Sequence, residues 1–580
     1  MRMRQCLFVI TLMLLPLVQF ATADTVIADQ RPNILIVVAD DLGFSDIEPY
    51  GGEIATPTLA RLADNGLKLT NFHSHTVCTP TRAMLLSGVN NHAVGIAAMA
   101  GEARGAQQGA PGYEGYLRHD VLTLADLLSA SGYQSWMSGK WDLGGRNDDS
   151  LLPNQRGFDR SFALVEGSAD FFRVYPALAE LPDVNYRLDG KKHPPTEPFY
   201  ITDVYTDYAL EFIQELDEEK PFFGYLTYTA PHYPLQAPDS FIRQYDGVYE
   251  VGYATIREAR LKGMVSQGVI ENPKASPPTP LWPSWSELSA TQQAFEARRM
   301  AVYAAMITAM DAQLSRVIKV LEDSGRLDNT LIVFLSDNGP EGGNPLDWAD
   351  FYTDWAISNF DLSLANLGRP HSYAWTGPRW AEVSATPFAL FKGFASEGGT
   401  RVPAIIHWPA GLERVGVSDE YLHVLDVPAT LLDIAGVPHS GTETTGHKAR
   451  KLEGRVLTPF LASRQSTVDD TVHVWEIFDR RAVRAGKWKM TYANARWGKG
   501  DGWSLYDLEA DPTEVTDVIL QYPEVAARLL QEWEHYVEAN HLILLEGGLN
   551  LRWTNLFTHF DWAPVPPGAS SPSESEDEKE

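Results

Sequence analysis

At 580 residues, with 44% hydrophobic and 11% aromatic content, the chain is long enough for one large and one small folded unit, and its composition is that of a globular protein. A formal net charge of −29 speaks against nucleic acid and anionic membrane as partners, because either would need a basic face. Any anionic substrate must therefore meet a local cluster of cations.

Arg2 and Arg4 precede the apolar stretch Leu7 to Leu17 and the small-x-small triplet Ala21-Thr22-Ala23, the pattern of an export signal over residues 1–23. Its removal takes away Cys6, one of two cysteines, and leaves Cys78 with no internal disulfide partner. The mature protein is then expected in the periplasm or outside the cell. It is expected free of the membrane, since no later segment reaches the roughly 18 uninterrupted apolar residues of a span. In an oxidising compartment a lone thiol persists when it is buried or used.

The run Asn33 to Ala39 is continuously apolar and ends in Asp40-Asp41-Leu42-Gly43, which predicts a buried strand terminating in paired carboxylates. Pro57 to Ala63 behind a Thr56 cap reads as a helix. Thr81 to Ser87 reads as a short helix stopped by Gly88, with Cys78 just ahead of its N-terminus. Helical periodicity returns at Leu122 to Leu128, Val204 to Leu216 and Arg298 to Leu321. Two further buried strands, Pro221 to Thr229 and Thr330 to Leu335, end in Ala230-Pro231-His232 and Ser336-Asp337-Asn338-Gly339. Alternating strands and helices predict an α/β sheet with parallel strands, and in such sheets sites gather outside the carboxyl ends of the strands.

The texture then changes. Val472 to Glu476, Arg481 to Arg484, Lys487 to Met490 and Ser504 to Leu508 are short alternating strands, followed by a helical run from Pro523 to Tyr536. These predict a small antiparallel sheet carrying a helix. The expected division is a catalytic unit over residues 24–454, a small α+β unit over 455–560, and a disordered acidic tail over 561–580, rich in Pro, Ser and Glu.

Neighbouring side chains of a strand point to opposite faces, so Asp40 and Asp41 can share a ligand only where the strand breaks into a loop. With Asp337 and the amide of Asn338 they make four hard oxygen donors, which favours Ca²⁺, with Mg²⁺ or Mn²⁺ as alternatives. Cys78 before a helix N-terminus sits where negative charge is favoured, and Arg82 offers a planar donor fork suited to a tetrahedral oxyanion.

The chain resembles the type I, formylglycine-dependent sulfatases of the alkaline phosphatase superfamily, and within them the bacterial arylsulfatases. The resemblance rests on Pro32 to Gly52, the Cys-x-Pro-x-Arg signature at Cys78, Gly139-Lys140-Trp141, Pro231 to Pro238, Asp337-Asn338-Gly339, Lys392 with Glu397 to Ala404, and Leu505 to Pro512. It implies an alkaline-phosphatase-like mixed sheet flanked by helices. It also implies that a formylglycine-generating or sulfatase-maturating enzyme oxidises Cys78 to formylglycine. One oxygen of the hydrated aldehyde would attack sulfur and displace the alcohol, giving a covalent sulfate hemiacetal that expels sulfate as the aldehyde reforms. By the same resemblance one Ca²⁺ would be held by Asp40, Asp41, Asp337, Asn338 and the modified Cys78. Arg82, Lys140 and Lys392 would surround the sulfate oxygens, and His232 would protonate the leaving oxygen.

Two positions depart from the family pattern. After Gly-Lys-Trp the family commonly has His, whereas here Asp142 follows, and it is a candidate substitute base. Thr79 stands where Ser or another small residue is frequent, a change expected to affect packing alone. The aromatics Trp348, Phe351, Tyr352, Trp355, Tyr373, Trp375 and Trp380 are expected to shape a pocket for an aryl ring or a sugar from a sulfated polysaccharide. A phosphonate or phosphodiester hydrolase of the same superfamily would use much of this site. A two-zinc phosphatase would need clustered histidines, and a non-catalytic sulfated-glycan binder would keep Cys78 unmodified.

Overall fold

The computed structural model describes residues 31–545 apart from 349, 439–442, 445–446, 449, 463–470 and 494–501. The expected signal and acidic tail lie outside the described residues.

An 11-stranded sheet organises the chain: β1 (Asn33–Ala39), β2 (Leu67–His73), β3 (Gln134–Lys140), β4 (Arg160–Leu164), β5 (Tyr186–Leu188), β6 (Lys191–Lys192), β7 (Phe222–Thr227), β8 (Thr330–Ser336), β9 (Arg401–His407), β10 (Gly416–Ser418) and β11 (Leu422–His423). The order is β10-β2-β9-β8-β1-β7-β3-β4-β5-β6, with β11 also on β2. Strands β8, β1, β7, β3 and β4 run parallel, while β9 is antiparallel to both β8 and β2, so the sheet is mixed and mostly parallel.

Period-2 alternation sends Leu35, Val37 and Ala39 of β1 into one apolar layer and Ile34, Ile36 and Val38 into the other. Both layers are covered by helices, which is why the strand reads as an unbroken apolar run. Helices Pro57–Asp64, Ile201–Glu215 and Ala290–Asp323 pack on the first face, and Cys78–Ser87, Leu124–Ala130 and Asp426–Ile434 on the second. The third sequence helix starts at Leu124, two residues later than its periodicity suggests. Thr123 caps it, its hydroxyl accepting from Asp126 N while the Asp126 carboxylate accepts from Thr123 N.

Register sets the site. Ala39 lies beside Ser336, Val38 beside Thr227, and Thr227 beside Gly139, so the carboxyl ends of β8, β1, β7 and β3 finish level. Asp337, Asp40 and Lys140 stand at three of those ends, and the loop after β7 carries His232.

Strands Val472–Ile477, Arg480–Ala485, Trp488–Ala493 and Gly502–Asp507 form a four-stranded antiparallel sheet, and the helix Pro523–Ala539 packs on it through Leu529 and Trp533. Leu457, Phe460 and Leu461, past Gly454, belong to the core under the large sheet. No helix among the described residues is long and apolar enough to cross a membrane.

Candidate active site

Cys78 is the first residue of its helix rather than the residue ahead of it, because Val77 is still extended and serves as the cap. Gly88 ends the helix in the left-handed conformation. Along this helix Arg82 follows Cys78 by one turn, and its guanidinium donates to Asp337 Oδ2 at 3.0 and 2.8 Å and to the Lys140 carbonyl at 3.1 Å.

Asp41 has left the strand with φ 68°, an uncommon left-handed conformation for a non-glycine residue. Asp40 and Asp41 thereby both reach the site. Lys140 Nζ donates to Asp40 Oδ2 at 2.7 Å, and Lys392 Nζ lies 2.7 Å from Asp41 Oδ1 and 3.2 Å from Glu341 Oε2. Asn338 Nδ2 donates to Asp41 Oδ1 at 2.7 Å. Each cation thus carries a carboxylate partner, and all these groups are buried.

At this site two buried oxygens, Asp40 Oδ1 and Asn338 Oδ1, have no hydrogen-bond partner among the described residues. Asp40, Cys78 and Asp337 bring donor atoms within 4.8 Å of one another, and so do Asp40, Asp41 and His232. Burial raises the pKa of Asp41 and of Asp337, and the neighbouring carboxylates push the same way against Lys392 and Arg82. Orphaned acceptors and crowded carboxylates are what a hard divalent cation relieves, so the donor set fits one. The set differs from the sequence reading in one respect, since an imidazole joins the carboxylates.

His232 Nδ1 donates to the Tyr233 carbonyl at 2.7 Å, leaving Nε2 3.6 Å from Asp41 Oδ2. Burial and then Lys392 push its pKa well below the usual value. Burial likewise pushes the Cys78 thiol up to about 12, so a thiolate is not formed at neutral pH.

Asp142 also adopts a left-handed backbone, with φ 56°. Its Oδ2 accepts from Cys78 Sγ at 3.3 Å and from the Thr79 hydroxyl at 2.7 Å, and lies 3.8 Å from Lys140 Nζ. The two positions that depart from the family pattern therefore touch each other. Thr79 does more than pack, which corrects the sequence expectation. Sequence reasoning also missed Glu341, whose only signal was its place two residues after Asp337-Asn338-Gly339.

The aromatic stretch divides. Tyr373, Trp375 and Trp355 share a cluster with Tyr233, whose ring lies 4.3 Å from that of His232. Trp380 instead sits in the core against Tyr249 and Tyr253, so it shapes no pocket. Tyr352 is buried with its hydroxyl on Glu180, and Phe351 is exposed. The Trp348 side chain lies outside the described residues.

The family model for sulfatases matches residues 32–437. The chain belongs to the sulfatase family. A second model, the C-terminal region of N-sulphoglucosamine sulphohydrolase, matches residues 388–538. This sulfatase is 38% identical over 522 residues to an uncharacterized sulfatase of Schizosaccharomyces pombe, covering 87% of this chain and 93% of that one. It is 36% identical over 412 residues to an arylsulfatase of Klebsiella aerogenes, covering 70% and 87%. Among solved structures, one in complex with a neocarrahexaose shares the fold with TM-score 0.64 at 23% identity, covering 90% and 96%. The protein is therefore a sulfatase, an enzyme that hydrolyses sulfate esters, on an α/β sheet with a small antiparallel sheet attached.

Proposed function

We propose that this sulfatase cleaves sulfate monoesters with residue 78 in its formylglycine form and one Ca²⁺ bound by Asp40, Asp41, Asp337, Asn338 and residue 78. The observation that carries the reading is the pair of partnerless buried oxygens, Asp40 Oδ1 and Asn338 Oδ1, in a carboxylate set that includes Cys78 and faces three cations. The high pKa of the buried thiol adds support, because it makes unmodified Cys78 a poor nucleophile. When bound, the cation polarises the sulfuryl group, and the hydrated aldehyde supplies the attacking oxygen.

The residues of the chain do the rest. Arg82, Lys140 and Lys392 orient the ester and balance its oxygens, each fixed by a carboxylate so that no reorganisation accompanies the reaction. His232 delivers a proton from Nε2 to the leaving oxygen while the Tyr233 carbonyl fixes the ring through Nδ1. The ring is held neutral with its proton on Nδ1, so this role requires it to take up a second proton at Nε2 before the alcohol departs. Asp142, in contact with residue 78, takes up the hydroxyl proton in the second half of the turnover.

The leaving group is an aryl or sugar ring, which the Tyr233, Tyr373 and Trp375 cluster beside His232 suits. We also infer that the protein is exported after signal cleavage and that Cys78 is converted by a dedicated maturation enzyme. Peptide mass spectrometry of active protein should find the thiol of residue 78 replaced by an aldehyde or its hydrate. Fully active protein with intact Cys78 would sink the proposal. Elemental analysis should give one calcium per chain, and stoichiometric zinc counts against the site. Turnover across aryl sulfates, sulfated sugars and an aryl phosphodiester then ranks the substrates.

A further inference from the structure

The cation partners in the cradle are already matched: Arg82 by Asp337, Lys140 by Asp40, and Lys392 by Asp41 and Glu341. Asp142 is a fifth carboxylate beyond that set. Its side chain is 16% exposed, whereas those of Lys140, Arg82 and Asp40 are wholly buried and that of Lys392 is 4% exposed. It is therefore the most exposed charged group of the cradle, held in place by the Thr79 hydroxyl and 3.3 Å from the Cys78 sulfur. Three cations against five carboxylates reach neutrality once one divalent ion is added, and a neutral residue at 142 would leave the same cradle positive.

We infer that Asp142 sets the charge of the ligand this site accepts, admitting monoanionic esters and disfavouring dianions. The inference rests on the reading of the cradle as a sulfate site. A sulfate monoester carries one negative charge, whereas inorganic sulfate and a phosphate monoester near neutral pH carry two. The fixed charge of Asp142 acts twice as strongly on a dianion as on a monoanion in the same place. It therefore rejects phosphate monoesters and speeds release of the sulfate product.

Calorimetric titration of calcium-loaded Cys78→Ala protein tests this, with methyl sulfate as the monoanion and inorganic sulfate as the dianion at one ionic strength. Thr79 still anchors the carboxylate in that background, and Asn tolerates the left-handed backbone at 142, so Asp142→Asn keeps the fold. Adding Asp142→Asn should tighten sulfate by about tenfold or more and methyl sulfate by about threefold, the square-root relation expected for half the charge. Equal factors for the two anions, or no change in either, would overturn the inference while leaving the sulfate site standing. Binding of neither anion before the second substitution would remove the sulfate-site reading, and the role of Asp142 with it.

Discussion

Two residues divide the proton traffic of the proposed reaction, and each gives a separate kinetic signature. His232 matters only as far as the leaving oxygen needs a proton. His232→Gln should slow an alkyl or sugar sulfate by about 10² to 10⁴ and a nitrophenyl sulfate, whose phenoxide leaves unaided, by less than about tenfold. Equal losses on both substrates would take the acid role away from His232. Asp142 acts after the alcohol has gone. Asp142→Asn should therefore give a burst of released alcohol with sulfate still covalently held on residue 78 by mass spectrometry, which slow release of free sulfate would not produce. Unchanged steady-state turnover without a burst would pass the role to another base. Asp142 could be singled out in sequence because it breaks a family motif. Its bond to Thr79 could not, since the two lie 63 residues apart and meet only when β3 ends beside the helix of Cys78.

At the scale of elements, the strand ends were legible because β1, β7 and β8 are buried on both faces and so leave continuous apolar runs that stop abruptly at polar residues. Helix starts were less so, since Thr123 and Ser289 fix them by capping boxes that periodicity alone does not register. The aromatic insertion was ambiguous for the same reason: composition gives no direction to a ring, and Trp380 turned inward while Tyr373 and Trp375 joined Tyr233. Close strand approach is a further constraint, visible at Gly139 in β3. Its φ is +124°, and a Cβ there would lie 1.9 Å from the backbone oxygen of Thr227 in β7. Gly139→Ala should cost on the order of 3 kcal/mol or more and shift the adjoining Lys140, so both the denaturant midpoint and turnover should fall. Gly268→Ala, with φ +67° and nothing within 4 Å, is the control and should cost about 1 kcal/mol. Similar losses in the two variants would mean that backbone conformation alone, and not the approach of β7, demands glycine at 139.

Across the whole molecule, the small sheet grips the segments that carry the site. Trp475 Nε1 donates to the Ser74 carbonyl at 2.8 Å, four residues before Cys78, and Arg480 donates to the Gly393 carbonyl at 2.7 Å, next to Lys392. Between them lies a buried charge network: Lys489 Nζ sits 2.7 Å from Glu397 Oε1 and 3.1 Å from Glu514 Oε1, and His73 Nε2 sits 3.0 Å from Glu397 Oε2. None of this was readable in sequence, because its members are spread from residue 73 to residue 514. Removing the cation takes Lys489 from both Glu397 and Glu514 while Glu397 keeps Arg401 at 3.4 Å and His73, so Lys489→Met should destabilise by roughly 2–3 kcal/mol, measured by denaturant unfolding. A loss under 1 kcal/mol would mean that water reaches the seam. The same seam makes stability depend on pH through His73, His75, His423 and His473. Burial pushes His73 down to about 4, against the pull of Glu397 beside it, and His75 to about 3, and holds His423 and His473 well below the usual value, with neighbouring cations and imidazoles acting in the same sense as burial. Above pH 6.5 these rings are neutral whether the chain is folded or not, so their full contribution is present. As pH falls from 6.5 toward 4 the unfolded chain takes up protons that the folded chain refuses, and stability drops by up to about 1.4 kcal/mol per pH unit for each ring. Glu397 does not compete in that window, because Lys489 holds its pKa well below the carboxylate range in spite of burial. Glu296 and Asp311, raised by burial to about 7 and about 6, take up protons in the folded chain first and act in the opposite sense, so the share of the rings is read from His75→Gln, whose denaturant midpoint should fall less than that of the unaltered chain between pH 6.5 and 4.5. Equal falls in the two proteins would show that the folded chain refuses no proton at His75.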